Sequence, residues 1–323
     1  MPSTNANLPS IAILDDYHNR ARSFADWESA TFARFEFFDQ PFTSEEELVK
    51  SLNGFKAVGL MRERTPFPES LIKQLPNLEL IITSGKKNAS IDVAAAKKNG
   101  ITVCGTESPG HATAELAFLL VMSLARQFVP LVNGLKQNGQ WQPVMGSDLR
   151  GRTLGILGLG RLGSQLSTFA QAMGMNVIAW SENLTDAQCS EKGVTYVSRD
   201  GLFQQADFVS IHLRHSERTH HMINHEDLKN LGGDSYIVNT SRAEIIDPDA
   251  LKRALDNDLI AGAASDVFVQ EPATLQDWMV RHPKMLPTPH IGYCTTQTFE
   301  VFYQQMLEAF AAYYDGAAIR VIS

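Results

Sequence analysis

Short apolar runs alternate with amphipathic stretches along most of the chain. Ile11–Leu14, Phe35–Phe38, Ala57–Met61, Leu80–Thr83 and Ile101–Cys104 are predicted as strands. Helical patterns with polar faces lie between them, among them Ser44–Leu52 and Ile91–Asn99, and Ser44 followed three residues on by Glu47 reads as a capping box. His111–Arg126 is one strongly apolar helix by the same criterion. Phe128–Leu149, with Gly134, Gly139, Pro143 and Gly146, is expected to be mostly irregular. A second alternating series follows: Thr153–Leu157, Val177–Trp180, Val194–Val197, Phe208–His212, Tyr236–Asn239, Ala261–Ser265 and a short strand near Met285. Pro287, Pro289 and Gly292 mark a break, and Thr298–Tyr314 again reads helical. Strands alternating with helices indicate parallel sheets covered on both faces, so the expected class is α/β with two such units in series. Periodicity does not decide which unit receives the last helix.

The stretch Arg152–Gln165 organises the second unit. A buried strand runs into Gly158-Leu159-Gly160-Arg161-Leu162-Gly163 and then an amphipathic segment carrying Leu166, Phe169, Ala170 and Met173. A second strand, Asn176 to Trp180, comes next. This is a G-x-G-x-x-G loop in its βαβ context. Gly158 permits the tight turn, Gly160 lets amides approach a pyrophosphate, and Gly163 lets the helix pack close to the strand. A dinucleotide site is expected here.

Composition narrows the partners. The 323 residues carry a net charge of −8, with 44% hydrophobic and 20% charged side chains. That balance disfavours nucleic acid or an anionic membrane, so an anionic substrate must be met by a local basic site. Cys104, Cys189 and Cys294 are scattered and lack metal spacing, as suits a reducing compartment. Met1–Ser10 is polar, without the apolar core of a signal peptide. The longest apolar run, Ala112–Ala125, is too short to span a bilayer and contains Glu115. The cytoplasm is the expected location.

Three segments past strand ends could carry chemistry. Arg242 ends Val238-Asn239-Thr240-Ser241-Arg242, where open α/β sheets bind ligands, and its forked donors suit a carboxylate. A surface ion pair is the competing reading. Asp266 ends the next strand, Glu271-Pro272 follows, and His290 stands between Pro289 and Gly292 in a tightly set backbone. A histidine is a natural proton donor to a carbonyl accepting hydride. Alone, His290 would be a loop histidine; with a dinucleotide site, the set favours an oxidoreductase. His212, His215, His220, His221 and His225 look metal-like at first, but no Cys or carboxylate has matching spacing, so polar loop histidines are expected and no metal.

These residues resemble the D-isomer-specific 2-hydroxyacid dehydrogenases. The likeness covers Thr83-Ser-Gly85…Asn88…Ile91-Asp92, Ala114-Glu115…Arg126 and Trp141. It continues through the glycine loop, His212-Leu213…Thr219, Asn239-Thr-Ser-Arg242, Asp266-Val-Phe…Glu271-Pro272 and Pro289-His290-x-Gly292. The resemblance implies two doubly wound Rossmann-like domains with an active-site cleft between them. Residues 1–109 and 293–323 would form a discontinuous substrate domain, and 110–292 the dinucleotide domain, so the last helix would pack on the first unit. Arg242 would engage the substrate's carboxylate and carbonyl. His290 would exchange the proton, with Glu271 holding the imidazole and raising its pKa. Asp266 would bond the nicotinamide carboxamide. Gly158, Gly160, Arg161, Leu162, Gly163, Ser181, Glu182, His212 and Thr240 complete the expected cofactor set. Backbone amides near Ser84, Gly85 and Lys86 would receive the substrate carboxylate, with Arg62 as a further contact. The implied partner is a small 2-oxo or D-2-hydroxy acid, and the implied assembly a homodimer meeting at the helix from His111.

Two departures stand out. Ser181, in Trp180-Ser181-Glu182-Asn183, replaces the family's usual ribose-binding aspartate. NAD is expected because Glu182 adjoins it and no Lys or Arg follows until Lys192, with NADP as the alternative. Lys86 and Lys87 occupy the substrate loop, where small or apolar residues are more common. A dinucleotide-sensing interaction protein of the corepressor kind is the alternative function; the complete Arg242, Glu271 and His290 set weighs against it. Formate enzymes carry Gln where Glu271 stands, which disfavours formate.

Overall fold

The computed structural model describes residues 8–322; residues 1–7 of the polar N-terminal stretch, and Ser323, lie outside the described residues. The chain divides into two compact units, one running to Pro109 and resuming at Cys294, the other spanning Gly110–Tyr293.

The first unit contains β1 (Ser10–Ile13), α1 (Ala21–Phe24), β2 (Arg34–Phe37), α2 (Glu45–Leu52), β3 (Ala57–Leu60), α3 (Glu69–Ile72), β4 (Leu80–Thr83), α4 (Val93–Lys98) and β5 (Thr102–Gly105). All five strands are parallel, in the order β2-β1-β3-β4-β5. β3 and β4 are buried along their whole length because helices cover both faces. One face packs Leu48 and Leu52 of α2, Leu71 of α3 and Ala96 of α4 against Val58, Leu60 and Ile81. The other face receives the closing helix, Thr296–Tyr314, which buries Phe299, Phe302, Tyr303, Met306 and Phe310. Strand order reverses between β1 and β3, the switch point where doubly wound sheets leave a crevice at the strands' C-terminal ends.

The second unit begins with α5 (His111–Ala125) and α6 (Phe128–Asn138), bent by 63° at their junction. It continues with β6 (Thr153–Leu157), α7 (Arg161–Ala172), β7 (Asn176–Trp180), α8 (Asp186–Ser190), β8 (Thr195–Tyr196), α9 (Arg199–Gln205), β9 (Phe208–Ile211) and α10 (His225–Leu231). Then come β10 (Tyr236–Asn239), α11 (Pro248–Asp256), β11 (Gly262–Ser265), α12 (Trp278–Arg281) and β12 (Met285–Pro287). The closing helix of the first unit is α13. Seven parallel strands run β12-β11-β10-β9-β6-β7-β8, so the order reverses between β6 and β9, beside the glycine loop. Among the described residues no single helix is long and apolar enough to cross a membrane.

Two local expectations are corrected. Phe128–Asn138 is helical rather than irregular. Pro130 falls in its first turn, where a missing N–H removes no intrahelical bond, and Gly139 ends it at φ 63°. The capping box at Ser44 is only half formed. Ser44 Oγ accepts the Glu47 amide at 3.2 Å, but the Glu47 carboxylate turns to the Thr43 amide and hydroxyl, at 2.8 and 2.6 Å.

Candidate active site

The glycine loop takes its shape from steric need. Gly158 has φ +99°, and a Cβ there would stand 2.8 Å from the His212 carbonyl oxygen. A Cβ on Gly163 would collide with the Gly158 carbonyl and lie 3.0 Å from Ile156 Cγ2, so α7 packs on β6 only because this residue has none. Gly160 is the N-cap of α7, with no side-chain cap, and a Cβ on it would meet no protein atom within 4 Å. The first-turn amides of Arg161 and Leu162 lie at the positive end of a 12-residue helix, next to the open space at Gly160. Thr240 adds a buried hydroxyl with no hydrogen-bond partner. Together the cradle and the orphan donor fit a dinucleotide. Ser181 follows β7 half-buried, with Glu182 and Asn183 exposed beside it. His212, past β9, has its Nε2 2.9 Å from Ser210 Oγ, and desolvation pulls its pKa down to about 4, leaving the imidazole neutral.

The same edge of the sheet carries the candidate acid–base group. Glu271 Oε2 lies 2.6 Å from His290 Nδ1, while Glu271 Oε1 accepts the Phe268 amide at 3.0 Å. Burial pushes the Glu271 carboxyl up, but the His290 contact, the Phe268 amide and the Arg242 charge outweigh it and hold the group below its ordinary range. The carboxylate therefore stays ionised, fixes the ring and directs Nε2 away from it. His290 itself sits at φ 52°, its amide donating to the Thr288 carbonyl at 2.9 Å. Arg242 follows β10 in a turn braced by Asn239, whose side chain accepts the Ser241 amide at 3.0 Å and donates to the Arg242 carbonyl at 2.9 Å.

Asp266 does something the sequence reading did not foresee. Its Oδ1 accepts the Thr288 hydroxyl at 2.7 Å and the Ile291 amide at 2.8 Å; its Oδ2 accepts the Gly292 amide at 2.8 Å. Burial raises its pKa and these bonds oppose the rise. The carboxylate is the buried anchor of the His290 loop. Asn239 and Thr288 are the supporting residues that sequence reading missed; only their positions beside Arg242 and His290 hinted at them.

In the first unit, Arg62 lies just beyond β3 at φ 55°. Its amide donates to Ser84 Oγ at 2.8 Å, its guanidinium reaches the Ser84 carbonyl at 3.2 Å, and Asn88 Nδ2 donates to its carbonyl at 2.5 Å. Gly85, at φ +90°, leaves room for that guanidinium, which a Cβ would strike. The expected carboxylate-binding amides need correction. The Ser84 amide donates to the Leu60 carbonyl at 2.9 Å and the Gly85 amide to Thr106 Oγ1 at 2.7 Å, because both still belong to the sheet edge. Of the three amides, that leaves Lys86. Its side chain is exposed and paired with Glu107 at 2.7 Å. Among the histidines past β9, His215 and His220 approach to 3.2 Å, and no group of three metal-binding side chains assembles among the described residues.

Comparison with known proteins decides the family. Residues 118–292 match the NAD binding domain of D-isomer specific 2-hydroxyacid dehydrogenases. The chain belongs to this family. It is 34% identical over 259 residues to a glyoxylate reductase of Korarchaeum cryptofilum, covering 78% of this chain and 77% of that one. It is 32% identical to a hydroxypyruvate reductase of Thermotoga maritima, covering 78% and 83%. A crystal structure of a phosphoglycerate oxidoreductase from Vibrio cholerae superposes with a TM-score of 0.90 at 33% identity, covering 96% of this chain and all of that one. The two parallel-sheet domains are those of this family of oxidoreductases, and the cofactor is NAD(P).

Proposed function

We propose that this dehydrogenase interconverts a small 2-oxo acid and its D-2-hydroxy acid. Bound NAD(P)H supplies the hydride to the carbonyl carbon. His290 delivers the proton to the carbonyl oxygen from Nε2, and Glu271, on Nδ1, holds the ring and offsets the charge of its protonated form. Arg242 presents paired donors to the carboxylate and polarises the carbonyl. Arg62 and the Lys86 amide add positive potential for the substrate carboxylate. The observation that carries this reading is the 2.6 Å contact between Glu271 and His290, with the Arg242 charge felt at Glu271. The names of the relatives direct attention to glyoxylate and hydroxypyruvate, and NAD is the favoured cofactor.

The same reading makes the enzyme a cytoplasmic homodimer, the assembly supported by the exposed Leu119, Met122 and Phe128 on α5 and α6. Initial rates with glyoxylate, hydroxypyruvate and pyruvate, each with NADH and NADPH, test the function. Saturable oxidation of the nicotinamide with at least one acid is expected; none with any acid would defeat the reading.

A further inference from the structure

The switch point of the first unit holds a cluster around the buried Asp15 and Thr65 that the reaction above does not use. Asp15 follows β1 at φ 63° and is 1% exposed. Its Oδ1 accepts the Thr65 hydroxyl at 2.9 Å and the Tyr17 hydroxyl at 3.3 Å, while Oδ2 is buried without a hydrogen-bond partner. Its backbone carbonyl accepts Arg64 Nη1 at 2.7 Å, and the same guanidinium lies 4.4 Å from the centre of the Tyr17 ring. Tyr303 of α13 faces the cluster from the other side, its hydroxyl 3.5 Å from Asp16 Oδ1. Both Arg64 and Thr65 stand in the turn after β3, two and three residues on from Arg62.

We propose that Asp15 is a positioning residue, clamping the turn after β3 through Thr65 and Arg64 and so fixing Arg62 for the substrate carboxylate. The proposal rests on the reading of Arg62 as a substrate contact. Ser84 and Asn88 hold Arg62 on its β4 side. Beyond Arg62, Thr65 and Arg64 tie the turn to Asp15, and the Phe67 amide then donates to the Ser90 carbonyl at 2.8 Å. A left-handed Arg62 is costly for a side-chain-bearing residue, so it persists only where both ends of its turn are pinned. Burying a carboxylate with one oxygen unsatisfied is also costly, and its position beside Arg64 offsets part of that cost. Burial pushes the Asp15 pKa up to about 6, against the opposing Thr65, Arg64, Tyr17 and Met61 backbone interactions. The charged and titratable groups that face it are Arg64, Tyr17 and Tyr303, with Asp16 next in sequence. Protonation removes the attraction to Arg64, so the clamp weakens as pH falls through that value.

The test pairs Asp15→Asn with Thr65→Val, using Thr65→Ser as the conservative restoration. Asp15→Asn and Thr65→Val should raise KM for the best 2-oxo acid ~10-fold while kcat and the Kd for NADH stay within about 2-fold, since only the carboxylate contact is misplaced. Thr65→Ser should restore KM. Wild-type KM should rise below about pH 6, and the Asp15→Asn KM should lack that rise. Hydrogen exchange of the 61–66 segment reads the clamp directly and should quicken in Asp15→Asn and Thr65→Val. Unchanged exchange overturns the clamp, whether or not any acid is turned over. Faster exchange with wild-type KM overturns its link to Arg62. A wild type inactive on every acid defeats the functional reading, and the exchange data then still decide the clamp.

Discussion

Asp266 Oδ2 accepts the Gly292 amide at 2.8 Å, and any Cβ on Gly292 would stand 3.0 Å from that same oxygen. The two residues lock the far side of the loop that presents His290. A side chain at 292 would crowd this approach, and a carboxylate suits 266 because three donors converge on it. Asp266→Asn turns one acceptor into an amide donor facing an N–H. It should lower kcat/KM by ~10–100-fold through loop disorder. A native kcat/KM in Asp266→Asn would show that the loop is held without this anchor.

His290→Ala should lower kcat by roughly 10²–10⁴ while NADH binding survives, because proton transfer is lost and the glycine cradle is untouched. Glu271→Gln should act more mildly. The Glu271 carboxyl lies below its ordinary range in the folded protein, so its contribution to stability is present above its unfolded pKa and is lost as pH falls through the folded value. Thermal midpoints of wild type and Glu271→Gln should therefore converge in acid. Parallel curves from pH 7 to 3 would contradict the pairing.

Arg242→Lys should not be conservative. Lysine keeps the charge but cannot offer two fixed parallel donors, so KM should rise and kcat fall together. Native kinetics in this variant would move the carboxylate anchor to Arg62 or the Lys86 amide.

His212 supplies a second pH signature. Burial lowers its pKa from 6.5 to about 4, so the unfolded chain binds more protons than the folded one between those values. Stability contributed by the neutral imidazole is complete above pH 6.5 and lost as pH falls towards 4. His212→Gln should remove about one proton from the acid dependence of unfolding in that window. An identical dependence of ΔG on pH in the two proteins would place the acid sensitivity elsewhere.

Cofactor choice turns on Ser181 and Glu182 at the end of β7. A 2′-phosphate beside exposed Glu182 meets repulsion, whereas the ribose diol of NAD loses only the usual carboxylate acceptor. Wild type should prefer NADH weakly, Ser181→Asp strongly, and Glu182→Ala should admit NADPH. A wild-type kcat/KM ratio favouring NADPH by more than ~10-fold would mean that basic side chains reach the 2′ position from another loop.

Sequence alone determined what depends on neighbours along the chain. Short apolar runs marked the strands because strands buried on both faces need nothing else. The glycine loop was readable because each glycine answers a local demand, a positive φ at Gly158 or a missing Cβ at Gly163. Arg242, Glu271 and His290 were found because each follows a strand end, and parallel sheets bring those ends to one edge. What the tertiary structure decided was who bonds to whom. Asp266 is separated from Gly292 by 26 residues and Asp15 from Thr65 by 50, and no periodicity records such pairings. The family resemblance points to the Ser84 and Gly85 amides as substrate donors, and nothing along the chain says whether an amide there is already bonded. Only the crossover connections, which lay β4 against β3 and β5, show that those amides are already bonded within the fold.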